Sequence, residues 1–198
     1  MNKINVILLH GIWPEKIDGK LIADIPLCNP NNEGNWMGWT KKRLEAQGYQ
    51  ATCPVISDAW NAPYEQWKTE LDKTRIDENT ILVGWSAGAG VFLRYLGETG
   101  KKIKRLILIA PGFLPAKTPS QDFPNSKNFY PSQISPNLKD QIKDRVVVFA
   151  SNDPYEGVLR SIASCSELFN AKIIQFENFG HFSFLIKELP ELLEEIVK

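Results

Sequence analysis

The chain has 198 residues, of which 43% are hydrophobic and 23% are charged, a balance typical of one globular domain over residues 1–198. Its 23 lysines and arginines equal its 23 aspartates and glutamates, so the chain lacks the basic surface that binding to nucleic acid requires. Three cysteines without CxxC spacing and two histidines in total argue against a disulfide framework and against a metal site.

The N-terminal apolar run, residues 6–9, is too short for the core of a secretion signal. No apolar stretch reaches the roughly 18 residues of a membrane span. An odd number of cysteines is typical of reduced thiols in a cytosol. The sequence therefore predicts a cytoplasmic protein with neither a membrane nor a nucleic acid as its partner, while a protein partner stays open.

Short apolar runs alternate along the chain with segments of helical periodicity. The runs cover residues 4–9, 51–56, 80–83, 106–110, 146–150 and 172–176, and the helical segments cover 39–47, 64–71, 87–96, 158–163 and 184–198. Most runs are continuous and rich in valine, isoleucine and leucine, as in parallel strands that helices cover on both faces. The alternation predicts a three-layer α/β/α sandwich around a six-stranded, mostly parallel sheet.

Two segments interrupt this alternation. Residues 12–35 are polar and predict a long loop after the first strand. Residues 111–136 contain six of the 13 prolines, a density that excludes both a helix and a central strand. We predict that this second segment is a proline-rich cap segment.

The strongest chemical signal is Gly84-Trp85-Ser86-Ala87-Gly88, which matches G-x-S-x-G between a predicted strand and a predicted helix. Such a turn holds a serine hydroxyl outward, which makes Ser86 the candidate nucleophile. The helix N-terminus directs the backbone N–H of Ala87 toward negative charge that forms beside the serine. The turn at Gly11 predicts the N–H of Ile12, or that of Trp13, as the second donor of an oxyanion hole.

A serine hydroxyl needs a base, and the base needs an orienting acid. In strand-elbow hydrolases the chain order is serine, acid, histidine, and His181 follows the last predicted strand. Asp153 follows the preceding strand and is the candidate acid, with Glu177 as its competitor. His10 would break the chain order, so we interpret it as structural.

Aromatic residues beside these positions are candidates for substrate binding. Trp13, Trp85 and Phe182 adjoin catalytic positions and predict a shallow apolar pocket for short or aromatic acyl groups. Alternatively, the Trp85 side chain points down into the sheet and does not line this pocket.

Several of these motifs together resemble one known family. They are His10-Gly11, the segment 31–39 that contains Gly-Asn-Trp and Gly-Trp, the elbow at 84–88, Asp153-Pro154 and Gly180-His181-Phe182. The chain is similar to the small serine hydrolases related to retinoblastoma-binding protein nine, which are compact α/β-hydrolases. The resemblance implies Ser86 as nucleophile, Asp153 as acid and His181 as base, and a sheet order of 2-1-3-4-5-6.

The predicted reaction is therefore acyl transfer from a small carboxylic ester or thioester to water, through an acyl-enzyme and without metal or organic cofactor. Two alternatives stay open. One is a protein-binding module on a hydrolase scaffold with weak activity, because a fold does not determine a function. The other is transfer of the acyl group to an acceptor other than water.

Overall fold

The computed structural model describes residues 3–114, 129–130 and 134–198. Its strands are β1 (Asn5–Leu9), β2 (Lys16–Ile17), β3 (Lys20–Leu21), β4 (Gln50–Thr52), β5 (Thr80–Trp85), β6 (Arg105–Ile109), β7 (Val146–Ala150) and β8 (Lys172–Gln175). Within these residues six strands form one sheet in the order β4-β1-β5-β6-β7-β8. Every neighbouring pair in it is parallel, which confirms the predicted sheet and its order.

The α-helices of the described residues are α1 (Trp36–Ala46), α2 (Tyr64–Asp72), α3 (Ala87–Thr99), α4 (Glu156–Phe169) and α5 (Pro190–Val197). Helix α1 packs against α5, and α2 packs against α3. None of the helices in this part of the chain has the length and apolar character needed to cross a lipid bilayer.

The four central strands of the sheet are buried along their whole length. In β1, β5, β6 and β7 every residue is buried, as their continuous aliphatic sequences predict for strands covered on both faces. The edge strands β4 and β8 are shorter and largely exposed. The core therefore lies on the two faces of the central strands, and the loops after those strands have a rigid base.

The segment 12–35 is more ordered than the predicted loop. Strands β2 and β3 pair in it as a small antiparallel hairpin. Helix α1 then begins at Trp36, three residues before the predicted start, because Asn35 caps it. The Asn35 Oδ1 atom accepts the backbone N–H groups of Met37 and Gly38 at 3.0 and 3.1 Å, which satisfies donors that a helix start leaves unpaired.

Of the predicted cap at 111–136 the structure describes residues 111–114, 129–130 and 134–136, so the cap stays a prediction for 115–128 and 131–133. Its start is anchored to α4. The Ser161 hydroxyl accepts the backbone N–H groups of Phe113 and Leu114 at 3.2 and 3.1 Å.

His10 lies at the end of β1, has no exposed surface, and has both ring nitrogens hydrogen-bonded to backbone. Its Nδ1–H donates to the Gly11 carbonyl at 2.7 Å, and its Nε2 accepts the N–H of Ile56 at 3.0 Å. The ring stacks on Trp13 with 4.3 Å between ring centroids. Burial lowers the pKa of His10 to about 4, and the bond to Gly11 offsets this in part.

This histidine predicts a pH dependence of stability. The folded pKa is about 4, below the unfolded value of about 6.5, so stability is full above pH 6.5 and falls as the pH drops. The loss totals about 3 kcal/mol in the free energy of unfolding once the pH is below both values. The free energy of unfolding can be measured with urea from about pH 7.5 to about pH 4.5. It should fall less steeply with decreasing pH in His10→Gln than in wild type.

The control is His181→Gln, which leaves His10 in place. It should keep the part of the pH dependence of the unfolding free energy that His10 contributes. Parallel pH profiles for wild type and His10→Gln would contradict the assignment.

Candidate active site

Ser86 occupies a sharp turn between β5 and α3. Its backbone has φ 54° and ψ −122°, a positive-φ conformation that residues other than glycine rarely adopt. The turn is held from one side, because the Ser86 N–H donates to the Ile109 carbonyl at 2.9 Å. It is held from the other side by the Gly112 N–H, which donates to the Ser86 carbonyl at 2.9 Å. The side chain of Ser86 remains partly exposed at the end of the sheet.

Three glycines allow the backbone to close around this serine. A Cβ atom at Gly84 would lie 2.7 Å from the Cα of Ala89, and one at Gly88 would lie 2.5 Å from the His10 carbonyl oxygen. A Cβ atom at Gly11 would lie 2.6 Å from the Ser86 Cβ. The turn after β1 therefore touches the serine directly, which any larger residue at Gly11 would prevent.

His181 connects the serine to a carboxylate. Its Nε2 lies 2.8 Å from the Ser86 Oγ, and its Nδ1 lies 2.6 Å from the Asp153 Oδ2. A carboxylate accepts hydrogen bonds, so the proton sits on Nδ1 and Nε2 accepts the hydroxyl of the serine. The structure thus brings together the three residues that the sequence singled out as nucleophile, base and acid.

The two candidate acids have different surroundings. The Asp153 side chain has no exposed surface, and its Oδ1 accepts the Tyr155 N–H at 2.9 Å while its Oδ2 faces His181. Glu177 is exposed, and its side chain makes no hydrogen bond or ion pair to any residue that the structure describes. The contacts of His181 therefore favour Asp153.

The backbone N–H groups that the sequence predicts as oxyanion donors are unpaired. Among the described residues the N–H groups of Ile12, Trp13 and Ala87 have no hydrogen-bond acceptor. The His10 ring holds the Gly11 carbonyl, and in a trans peptide the N–H of the next residue points the opposite way. The Ile12 N–H therefore points away from the His10 ring.

The three aromatic residues predicted to bind substrate are buried. Trp13 is 9% exposed and stacks on His10, and Trp85 is 5% exposed and donates its indole N–H to the His181 carbonyl at 2.8 Å. The expectation that Phe182 contacts the substrate does not fit the structure, because Phe182 has no exposed surface and packs against Phe176 and Phe179. In this structure Phe182 offers no surface to a substrate.

The sequence analysis did not predict a role for Tyr155, an exposed aromatic residue beside His181. It is 59% exposed, and its ring meets the imidazole edge-on with 4.9 Å between centroids. Its position two residues after Asp153 could have indicated that it lies near the site. The sequence analysis also assigned no role to Ser151 and Asn152, which hydrogen-bond the backbone next to His181.

The thiols are poorly suited to act as alternative nucleophiles. All three cysteines are buried and unpaired, and burial raises the pKa of Cys53 and of Cys165 to about 12. Within the described ranges no group of three or more histidine, cysteine, aspartate or glutamate residues could hold a metal ion.

Comparison with known proteins gives one family and several relatives. A family model described as serine hydrolase matches residues 25–186. The hydrolase YdeN of Bacillus subtilis (strain 168) is 26% identical over 159 residues, which are 77% of this chain and 80% of that protein. The crystal structure of the B. subtilis ydeN gene product has a TM-score of 0.76 and 21% identity, and covers 99% of this chain and 97% of that one.

Two further structures share the fold at lower identity. An alpha/beta hydrolase family protein from Desulfitobacterium hafniense has a TM-score of 0.60 and 17% identity, with 99% and 96% of the two chains covered. The carboxylesterase CesB (YbfK) of Bacillus subtilis has a TM-score of 0.56 and 14% identity, with 99% and 82% covered. At these identities the likeness establishes the α/β-hydrolase fold, and the family match shows that the chain is a hydrolase that belongs to the serine hydrolase family.

Proposed function

We propose that this hydrolase cleaves a small carboxylic ester or thioester through an acyl-enzyme on Ser86. The observation that carries the proposal is the continuous hydrogen-bonded row from Asp153 through His181 to Ser86, with distances of 2.6 and 2.8 Å. A buried carboxylate, a histidine in the required tautomer and a serine at a strained turn are the parts that activate a hydroxyl for attack.

The first half of the reaction forms the acyl-enzyme. The Ser86 Oγ bonds to the substrate carbonyl carbon as its proton passes to the His181 Nε2, and the carbonyl oxygen becomes an anion. Asp153 holds the ring and stabilises the imidazolium. The proton on Nε2 then passes to the leaving alkoxide or thiolate as the carbon–oxygen or carbon–sulfur bond breaks.

The second half returns the enzyme to its starting state. Water gives a proton to the His181 Nε2 and attacks the acyl carbon, and the acid product leaves as Ser86 recovers its proton. In both halves the unpaired N–H groups of Ile12 and Ala87 are suited to hold the oxyanion. Each such donor is typically worth about 2.7–4 kcal/mol in the transition state.

The exposure of the aromatic residues near the proposed site bears on the size of the acyl group. Trp13, Trp85 and Phe182 are buried and leave little apolar surface for a long acyl chain. This supports the proposal of short or aromatic acyl groups. Tyr155 remains exposed against His181, where it can contact a leaving group.

The nucleophile assignment predicts the outcome of covalent labelling. A fluorophosphonate probe should label wild type and leave Ser86→Ala unlabelled, because the probe needs an activated hydroxyl. The comparison uses labelling on a gel, with circular dichroism to verify that both proteins are folded. Equal labelling of the two proteins would contradict Ser86 as the nucleophile.

The acid assignment predicts unequal effects of two matched substitutions. Asp153→Asn should lower kcat by about 10⁴-fold, because an amide in that place favours the wrong tautomer of the histidine. Glu177→Gln neutralises a carboxylate four residues before His181 and should leave kcat nearly unchanged. Steady-state hydrolysis of p-nitrophenyl acetate measures both. A larger loss in Glu177→Gln would reassign the acid.

A further inference from the structure

The proposed base lies in a loop with little regular structure of its own. The histidine loop, residues 176–189, joins β8 to α5. Within it the Phe182 N–H donates to the Phe179 carbonyl at 3.0 Å, and Phe182 itself has φ 53°. A non-glycine residue in this region is unfavourable, so contacts from outside the loop must hold it.

Three consecutive side chains after β7 contact three consecutive residues of this loop. The Ser151 Oγ accepts the Phe179 N–H at 3.0 Å, and the Asn152 Oδ1 accepts the Gly180 N–H at 3.2 Å. Asp153 then accepts the His181 Nδ1–H at 2.6 Å. The three contacts share one offset of 28 residues, so they fix the register of the loop against the end of β7.

Ser151 connects the first two of these contacts. Its hydroxyl accepts from Phe179 and donates to the Asn152 Oδ1 at 2.8 Å, so both hydrogen-bonding functions of the side chain are used. Ser151 is 5% exposed, and a buried hydroxyl that serves as donor and acceptor is costly to replace. Asn152 is exposed, and water competes for its bond.

Two indoles hold the carbonyl side of the same loop. Trp85, the residue before the serine, donates its Nε1–H to the His181 carbonyl at 2.8 Å. Trp36, the first residue of α1, donates its Nε1–H to the Phe182 carbonyl at 3.0 Å. The loop is therefore held through its N–H groups by residues after β7 and through its carbonyls by Trp85 of the elbow and Trp36 of α1.

We propose that Ser151 and Asn152 are positioning residues that set the register of the histidine loop and thereby place the His181 ring between Asp153 and Ser86. This inference rests on the proposed function. Asp153 alone can orient the ring about its Nδ1, but it cannot prevent the backbone that carries the ring from shifting along β7. A shift of about 1 Å in a catalytic group can lower a rate by about 100-fold.

The test compares Ser151→Ala, the conservative variant Ser151→Thr, Asn152→Ala and the control Ser166→Ala, an exposed serine on α4. Three quantities are measured: kcat and KM for p-nitrophenyl acetate, hydrogen exchange of the Phe179 amide, and the proton NMR signal of the His181 Nδ1–H. Ser151→Ala should lower kcat by roughly 10-fold or more with KM within about twofold. It should also speed the exchange of the Phe179 amide and weaken the Nδ1–H signal.

Ser151→Thr keeps the hydroxyl and should restore both kcat and the Nδ1–H signal. Asn152→Ala should give a smaller loss in the same direction, and Ser166→Ala should resemble wild type. If Ser151→Ala keeps the wild-type kcat and Nδ1–H signal, the proposal is overturned even when the melting temperature falls. If wild type does not hydrolyse esters, the proposed function fails, and the exchange rate and the Nδ1–H signal decide the positioning role by themselves.

Discussion

The positive-φ backbone conformation of Ser86 is the constraint on which the rest of the site depends. A conformation of this kind costs on the order of 1–3 kcal/mol and persists only where its surroundings enforce it. Here the surroundings are the hydrogen bonds with Ile109 and Gly112 and the close packing of Gly11 and Gly88. These contacts hold the hydroxyl in one direction before any substrate arrives, which is what an attacking group requires.

The parallel sheet explains why the other groups meet at this serine. Leu9 pairs with Gly84, Trp85 with Ile109 and Ala150 with Gln175, so the ends of β1, β5, β6, β7 and β8 lie along one edge. The residues that follow those strands supply the oxyanion candidate, the serine, the acid and the histidine. In open α/β sheets ligands bind at this carboxyl edge. The strands position the site, and the loops contribute its chemistry.

Much of this arrangement could be predicted from the sequence, because it depends on local patterns. Continuous aliphatic runs identified the central strands, and the glycine spacing around Ser86 identified the elbow. Chain order and strand ends selected His181 and Asp153, which the structure places in contact with each other. The start of α1 was missed by three residues, since the capping by Asn35 outweighed the hydrophobic pattern on which the prediction relied.

Features that depend on contacts between distant residues could not be read in this way. Phe182 follows the histidine directly, yet it has a positive φ and its side chain packs inward among other phenylalanines. No local sequence pattern predicts this conformation. The bonds from Ser151 and Asn152 to the histidine loop join residues 28 positions apart. Trp36 is buried in the core, and its indole N–H also donates to the Phe182 carbonyl.

In the proposed mechanism Ser86 carries the acyl group during turnover, so capture of that intermediate is the decisive experiment. Wild type is mixed with excess p-nitrophenyl acetate, quenched in acid within milliseconds, and examined by intact mass and peptide mapping. We expect one acetyl group on the peptide that contains Ser86, together with a burst of p-nitrophenol where deacylation is the slower step. An acetyl group captured on a different residue would contradict Ser86 as the nucleophile.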